Sequence, residues 1–347
     1  MTALASARFK VTGNFESVFD DMYRRGVTDG LPVMPPTENA VLAMLAAAPH
    51  MDIAPDALIA LVPPERGPAT AEKIAINAVM AGCLPEYFPV VVAAMRAITE
   101  PKFNLLGVQT TTNPVGPVLI INGPIRKQLE IHCGRGCLGP GWRANATIGR
   151  AIRLCLLNIG GCPPGDVDKA IHGMPGKFSF CFGELEEESP WTPLHVDHGF
   201  TRMQSTVTAV AGQGTQNIYA ACHEPADVIT MLADGMAVMG NNGYLRAVGN
   251  PLVILSPGHA RLFADAGWGK DRLKTELFER TKIPRKRFPR APQLSKPVYN
   301  DYADDEPCLL CRRAKDILIV VAGGPEAYHI TYVPNFGTTV YSMAEIK

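Results

Sequence analysis

The chain has 347 residues, of which 47% are hydrophobic and 19% are charged, a composition typical of a globular protein with a large core. Basic and acidic residues both number 33, so the zero net charge gives no long-range attraction for nucleic acid or anionic lipid and favours a small-molecule partner. The N-terminal stretch lacks the apolar core of a secretory signal, and no apolar run reaches the about 18 residues of a membrane span. We therefore expect a soluble, cytoplasmic protein that binds neither nucleic acid nor membrane.

The first third of the chain predicts several helices and three strands. The segment 15–30 predicts a helix stopped by glycine, and TENAVLAML predicts a second helix with Thr37 as its N-cap. A buried strand is predicted over DALIALVPP, followed by helices over ATAEKIAINAVMAG and PEYFPVVVAAMRAI. Strands are then predicted over FNLLGVQT at 103–110 and over GPVLIING at 116–123.

A similar alternation returns after residue 200, with strands predicted over STVTAVAG, NPLVILSPG and DILIVVAGG and a helix over EPADVITMLADGMAVMG. The segments that begin at Asn113 and Asn250 each contain Asn-Pro, an apolar strand, a Gly/Pro corner and an Arg-containing helical start. We interpret this similarity as a weak internal duplication, although both dipeptides are also common turn signals. The alternation predicts a layered α/β fold with helices on the faces of one or more sheets, and two related halves are one form of it.

The predicted organisation has three parts. An N-terminal α/β half covers 1–140, a second α/β half covers 141–280, and a connector with a C-terminal strand that returns to the core covers 281–347. Within the last part, 281–306 is rich in proline and is basic first and acidic later. Such a segment is a solvated surface connector, or alternatively a substrate lid or subunit arm.

The segment HCGRGCLGPGWRANATIGRAIRL, from His132 to Leu154, joins a glycine-rich turn to an amphipathic helix. The first amides of a helix lack intrahelical partners, and the helix dipole adds partial positive charge there, so a carboxylate, phosphate or oxyanion fits this turn. A close-packed turn without a ligand is the alternative. The predicted anion-binding or substrate-binding residues are Gly139, Gly141, Arg143, Asn145 and Thr147, together with Ser256 and His259 at the end of a later predicted strand.

Two of the nine cysteines, Cys133 and Cys137, lie in the same segment. They are candidates for a thiol nucleophile or a redox pair, because His132, Arg135 and the helix start would each lower a thiol pKa if they lay close by. A zinc site that combines them with the CLLC pair at 308–311 is an alternative of weaker spacing. A disulfide framework is not expected of a core-rich chain without an export signal.

A second candidate segment, CFGELEEESPWTPLHVDHGF, concentrates carboxylates and imidazoles within twenty residues. Glu184 and Glu187 are three residues apart, and His195 and His198 repeat that spacing. Glu184, Glu187 and His195 are candidates for proton transfer, and Glu184, His195 and His198 for ligands of a divalent metal ion. A solvated acidic turn is the alternative for the glutamates.

Five stretches carry a resemblance to a known family: TDGLPVMPPT from Thr28, INAVMAGCLPEY from Ile76, LGPGWRANATIGRA from Leu138, SPW at Ser189 and VAGGPEAYH from Val321. They resemble an uncharacterised bacterial family associated with genes for short UGSC-motif thiol/selenol proteins. The resemblance spans nearly the whole chain and implies a small thiol-protein partner. It implies no established reaction or catalytic residues.

These features predict an enzyme, a lyase or hydrolase, that acts by elimination or hydrolysis on a small anionic or polar molecule, with a sulfur-containing molecule as one option. The cofactor is undetermined, and a divalent metal ion is the candidate. The alternative is a metal-carrying or thiol-carrying accessory protein, or the larger subunit of a two-component enzyme. We expect a homo-oligomer, the common state of enzymes of this size. The hypothesis requires that residues 133–147 and 184–198 line one pocket.

Overall fold

The structure is a computed structural model that describes residues 4–47, 53–289 and 297–347. The α-helices in these ranges are α1 (Phe15–Arg24), α2 (Glu38–Ala46), α3 (Ala71–Ala81), α4 (Phe88–Thr99), α5 (Leu105–Thr110), α6 (Ile125–Gln128), α7 (Arg143–Asn158), α8 (Leu194–Asp197), α9 (Pro225–Met236), α10 (Gly243–Arg246), α11 (Pro257–Asp265) and α12 (Lys270–Arg280). The strands are β1 (Leu58–Val62), β2 (Gly67–Thr70), β3 (Gly116–Asn122), β4 (Cys181–Gly183), β5 (Ser205–Gly212), β6 (Gln216–Tyr219), β7 (Leu252–Leu255), β8 (Ile283–Pro284), β9 (Pro307–Cys308), β10 (Leu318–Val321), β11 (His329–Val333) and β12 (Ser342–Ile346).

Helix ends follow from local capping. The hydroxyl of Thr37 accepts a hydrogen bond from the amide of Ala40, which confirms the predicted start of α2. The first helix ends at Arg24, six residues earlier than predicted, because Gly26 adopts a left-handed conformation with φ of 71° and turns the chain away. The strand predicted over 103–110 is wrong. There the side chain of Asn104 caps a helix by accepting from Gly107 N at 3.3 Å, and α5 forms instead.

Two four-stranded sheets pack face to face in the centre of the molecule. One sheet has the order β12-β5-β3-β4 and the other the order β6-β11-β7-β10. Alternate residues of a strand point to opposite faces, so every second residue of each sheet faces the other sheet. The layer between the sheets is apolar, and its strand residues are Val118, Ile120, Phe182, Val210, Leu252, Ile254, Leu318, Val320 and Val333.

Helices cover the outer face of each sheet. Leu119 and Ile121 of β3 pack with α3, α4 and α7 in one core cluster. Val253 and Leu255 of β7 pack with α9, α11 and α12 in another. The fold is therefore α/β, as predicted, with four layers in the order helix, sheet, sheet, helix.

The two large sheets have the same strand order and the same strand directions. In each, an edge strand is antiparallel to the second strand, the second is antiparallel to the third, and the third is parallel to the fourth. The segments compared from Asn113 and Asn250 hold the equivalent strands β3 and β7. After β5 the chain crosses to the other sheet as β6, and after β11 it crosses back as β12, so the equivalent edge strands are exchanged between the sheets.

The predicted division at residues 140 and 280 stays a prediction, and each large sheet takes strands from more than one of the three ranges. In the predicted connector, residues 290–296 lie outside the described residues. The parts that are described do not form a solvated strip, because Phe288 and Tyr299 are buried in the second helical core. Nearby, β8 pairs with β9. Within the described ranges, no helix combines the length and apolarity needed to cross a membrane.

The inter-sheet layer gives a direct stability test. Phe182 on β4 is fully buried between the sheets, so Phe182→Ala leaves a cavity and should lower the free energy of unfolding by about 3–5 kcal/mol. Phe178→Ala removes the same ring at a site that is 48% exposed and should change the free energy by less than about 0.5 kcal/mol. Urea unfolding midpoints measure both effects. Equal shifts for the two variants would contradict the packing described for this layer.

Candidate functional site

The carboxyl ends of β3 and β4 lie side by side because the two strands are parallel neighbours. After Asn122 the chain passes through Gly123 into α6, and after Gly183 it enters the acidic run 184–188. Loops at the carboxyl ends of parallel strands commonly bind ligands in α/β proteins. This edge brings Arg126 of α6 and the acidic run together.

Arg126 is the buried centre of this edge, with 3% of its side chain exposed. Its Nη1 donates to the backbone carbonyl of Glu184 at 2.6 Å, and its Nε lies 3.1 Å from Oε1 of Glu186. Its Nη2 donates to Oε1 of Glu187 at 3.1 Å. A buried guanidinium requires such acceptors, so these contacts fix the acidic run against α6. Arg126 was not among the predicted site residues, and its one signal in the sequence is the Arg-containing helical start after β3.

The loop 131–139 crosses the ends of strands from both sheets. The amide of Gly183, the last residue of β4, donates to the carbonyl of His132 at 3.1 Å. The amide of Gly323, after β10, donates to the carbonyl of Cys133 at 2.9 Å. The backbone of the loop is therefore held at the point where the two sheets meet.

Asn145 fixes this loop from α7. Its Oδ1 accepts from the amide of His132 at 2.8 Å, and its Nδ2 donates to the carbonyls of His132 at 2.9 Å and Cys137 at 3.1 Å. The hydroxyl of Thr147 donates to the carbonyl of Arg143 within the same helix. The polar groups of both side chains are thus used inside the protein, which does not support the prediction that Asn145 and Thr147 bind an anion.

Cys133 is a half-buried thiol beside this network. Its Sγ lies 3.8 Å from Nη1 of Arg126. Burial raises the pKa of Cys133, and the positive charge of Arg126 offsets part of that rise. The prediction of a lowered pKa is thus wrong for this resting arrangement. The thiol is protonated at neutral pH, and the guanidinium stabilises the thiolate whenever it forms.

A pocket of about 670 Å³, which we call the thiol pocket, opens at Cys133. Its lining includes Arg126, His132, Cys133, Trp142, Arg143 and Glu187. Trp142 is the N-cap of α7 but makes no side-chain capping bond, so the first amides of α7 are not capped by it. The guanidinium of Arg143 donates to the carbonyl of Gly82 from Nε at 3.2 Å and from Nη2 at 3.0 Å. Gly141 also lines this pocket, whereas Gly139 does not.

The two sequence segments therefore converge at one place. Residues 133–147 contribute Cys133, Gly141 and Arg143 to the thiol pocket, and residues 184–198 contribute Glu187. Although burial opposes ionisation of Glu187, hydrogen bonds from Arg126 and Lys127 lower its pKa to about 2. Its carboxylate stays ionised and is a poor proton acceptor at neutral pH, so its part in the pocket is to hold the cations.

Glu184 and His195 are fully buried and do not line the thiol pocket. Burial raises the pKa of Glu184 and lowers that of His195, so both side chains favour their neutral forms. Oε2 of Glu184 accepts from Nδ2 of Asn122 at 2.6 Å and from the amide of Leu194 at 2.8 Å. The prediction of direct proton transfer by Glu184 and His195 to a substrate does not fit this placement.

These two side chains belong to a buried polar cluster on the inter-sheet face. Thr206 lies opposite Asn122 on the neighbouring strand, and Thr208 lies on the same face two residues further along. Among the described residues, the polar atoms of the cluster without a protein hydrogen-bond partner are Oδ1 of Asn122, Oε1 of Glu184, both ring nitrogens of His195 and the hydroxyls of Thr206 and Thr208. Such a concentration is unusual, since buried polar atoms are normally paired.

The predicted metal ligands do not form one set. Nδ1 of His198 donates to the carbonyl of Leu194 at 2.7 Å, and its ring meets the ring of Tyr341 edge-on. Nδ1 of His195 lies 3.9 Å from Glu186 instead. In the parts of the chain that are described, no three His, Cys, Asp or Glu side chains gather in an arrangement that could hold a metal ion. This corrects both the site predicted at Glu184, His195 and His198 and the alternative thiolate site.

An adjoining pocket of about 450 Å³ lies on the other side of the loop 131–139. Cys137, Gly139 and Ser256 line it, and burial raises the pKa of Cys137 to about 12. Ser256 caps α11 and bonds Nδ1 of His259 at 2.9 Å, while Nε2 of His259 donates to the carbonyl of Ala220 at 3.0 Å. His259 therefore has a packing role, and the two cysteines face different pockets. All nine cysteines are free thiols.

Comparison with protein-family models and with curated proteins finds no match to this chain. The interpretation of the site consequently depends on its geometry.

The opposite pKa directions of two neighbouring glutamates give a test by pH. Burial raises the pKa of Glu184 above its ordinary value of 4.5. At a pH above 4.5, the folded protein therefore binds more protons at this carboxyl than the unfolded protein does. Wild-type stability should therefore fall relative to Glu184→Gln as the pH rises from 4.5 to 8. The measurement is the urea midpoint of both proteins across this range.

Glu187→Gln is the matched control, because the pKa of Glu187 is lowered on folding. The stabilisation from its ionised form is present above its ordinary value and is lost as the pH falls through the window from 4.5 to about 2. The effect should be small, since Glu187 is 42% exposed. A Glu184→Gln difference that stays constant with pH would show that Glu184 is not a buried neutral acid.

Proposed function

We propose that the protein is a thiol-dependent hydrolase of a small anionic molecule, with Cys133 as the nucleophile. The observation that carries this proposal is the position of the Cys133 thiol, which lines an open pocket 3.8 Å from the buried guanidinium of Arg126. Thiols become reactive as thiolates, and a neighbouring fixed cation favours that form.

His132 supports the proposal as the proton acceptor. Its Nε2 lies 2.8 Å from the carbonyl of Arg135, and a carbonyl can only accept, so Nε2 carries the proton in the neutral ring. The basic lone pair is then on Nδ1. The ring stacks on Trp142 with centroids 3.6 Å apart, which restrains it within the lining of the thiol pocket beside Cys133.

The anionic part of the substrate is expected at the start of α7. The helix has sixteen residues, and its first two, Arg143 and Ala144, line the thiol pocket, where uncapped helix amides favour an anion. Lys127 adds an exposed cation at the rim, although it also contacts Glu187. The charge of Glu187 is already balanced by Arg126 and Lys127, so it does not repel an incoming carboxylate strongly.

In the proposed reaction, Nδ1 of His132 takes the proton of the Cys133 thiol and the sulfur attacks an electrophilic acyl carbon. The new S–C bond replaces the bond to the leaving group, which takes the proton from His132. Water then gives a proton to His132 and attacks the thioester carbon, which releases the acid and restores the thiol. Arg126 stabilises the thiolate in both steps.

Alkylation tests the thiol and its anion preference together. Iodoacetate carries a carboxylate and iodoacetamide does not. The ratio of the iodoacetate rate to the iodoacetamide rate should therefore be about tenfold higher at Cys133 than at Cys222. Cys222, which is also partly exposed, serves as the internal control. Peptide mass spectrometry gives the rate at each position.

Variants extend the same test. Cys133→Ser should lower hydrolysis of a panel of small anionic esters and thioesters by at least about a hundredfold, whereas Cys222→Ser should leave it unchanged. His132→Gln should slow both hydrolysis and alkylation at neutral pH. A ratio of iodoacetate to iodoacetamide rates at Cys133 no higher than at Cys222 would contradict the proposal, as would full activity in Cys133→Ser.

A further inference from the structure

A larger pocket of about 750 Å³ lies on another part of the surface and shares no lining residue with the thiol pocket. We call it the cationic pocket. Its positively charged lining residues are Lys102, Lys270, Lys274, Arg312, Arg313 and Lys315. Only three carboxylates, those of Asp197, Asp271 and Asp316, line the same space. A protein of zero net charge thus concentrates unbalanced positive charge in one cavity.

Two of the six cations already have partners. Nζ of Lys270 lies 2.8 Å from Oδ2 of Asp197 and donates to the carbonyl of Thr192. Arg313 pairs with Asp316 at 2.8 Å.

The other four cations, Lys102, Lys274, Arg312 and Lys315, form no ion pair within the described residues. Lys274 follows Lys270 by one helical turn, so both lie on the same face of α12. Burial and the neighbouring charge of Lys270 lower the pKa of Lys274, although Asp197 and Asp271 pull in the other direction. Lys102 lies 5.5 Å from the centroid of the Tyr341 ring, and Arg312 and Lys315 are exposed at the rim. The uncompensated charge therefore extends from the wall of the pocket to its rim.

Two aromatic side chains, Trp191 and Tyr341, also line the cationic pocket. A cavity of this volume is in the range that holds a small organic ligand. The geometry points to a binding site for a small organic phosphate, in which two or more negative charges meet Lys274, Arg312 and Lys315 and an organic group lies against Trp191 or Tyr341. This site is separate from the proposed thiol chemistry, so its test does not depend on Cys133.

Binding of pyrophosphate, inorganic phosphate and adenosine triphosphate to the full chain tests this inference by calorimetry and thermal shift. Pyrophosphate should bind saturably and more tightly than phosphate, because it places two charged groups among the cations, and its affinity should fall as salt is added. Adenosine triphosphate should bind more tightly than pyrophosphate if the aromatic rings contact an organic group. Equal affinities of pyrophosphate and adenosine triphosphate would overturn the organic part of the assignment.

Variants locate the site. Arg312→Gln combined with Lys315→Gln should weaken pyrophosphate binding by roughly tenfold or more, and both positions are exposed, so folding is preserved. Lys274→Gln should act in the same direction. The control pair Lys169→Gln and Lys286→Gln removes the same charge at exposed positions outside the pocket lining and should leave the affinity within about twofold. No saturable binding by the full chain, or equal weakening by the control pair, would overturn the site.

Discussion

The buried guanidinium of Arg126 is the interaction on which the strand-end site depends. It joins α6 to the chain after β4 through the carbonyl of Glu184 and the carboxylates of Glu186 and Glu187. A buried cation requires its buried partners, and removing one such as Glu186 typically costs about 3–5 kcal/mol, whereas the partly exposed Glu187 contributes less. The same group lowers the pKa of Glu187 and partly offsets the rise at Cys133. One side chain therefore sets both the geometry and the charge of the thiol pocket.

The repeated topology explains why the loops after both sheets meet near this point. The amide of Leu185, after β4, donates to the carbonyl of Val321 at the end of β10, at 2.7 Å. At the opposite end, where the chain leaves β5 and β11 to change sheets, the amide of Gln213 donates to the carbonyl of Pro334. A hydrogen bond thus joins the equivalent strands β4 and β10 at one end of the sheets, and another joins the chain after β5 and β11 at the other end. Because the edge strands are exchanged, neither sheet is complete without both halves of the chain.

Local signals in the sequence predicted the elements whose ends depend on nearby residues, such as α2 with its cap at Thr37. The same approach missed α5, where an asparagine cap overrode apolar composition. The hypothesis required both segments to line one pocket. Glu187 of the second segment lines the thiol pocket, whereas Glu184 and His195 do not. Glu184 and Asn145 are polar residues in segments that resemble ligand sites, so the sequence favoured ligand-binding roles for them. Their burial among segments distant in the sequence places their polar groups in the protein interior. For Arg126, the sequence offered only its position just after the Gly-Pro turn that follows β3.

The two large sheets differ at positions that their shared topology makes equivalent. The last paired residues are Ile121 and Gly183 in one sheet and Leu255 and Val321 in the other. The next residue along the chain is Glu184 after β4 and Ala322 after β10, so these two positions are equivalent. Burying polar groups without partners is unfavourable, so a polar cluster at an apolar inter-sheet face is retained only where something other than stability requires it. Glu184 of that cluster accepts a hydrogen bond from Arg126 through its backbone carbonyl, and the same guanidinium lies 3.8 Å from the sulfur of Cys133. The corresponding end of the other sheet, after β10, has the small residues Ala322, Gly323 and Gly324 and an open pocket. The unpaired polar strand end therefore costs stability in one sheet only, and this is the sheet whose edge carries Arg126 beside Cys133.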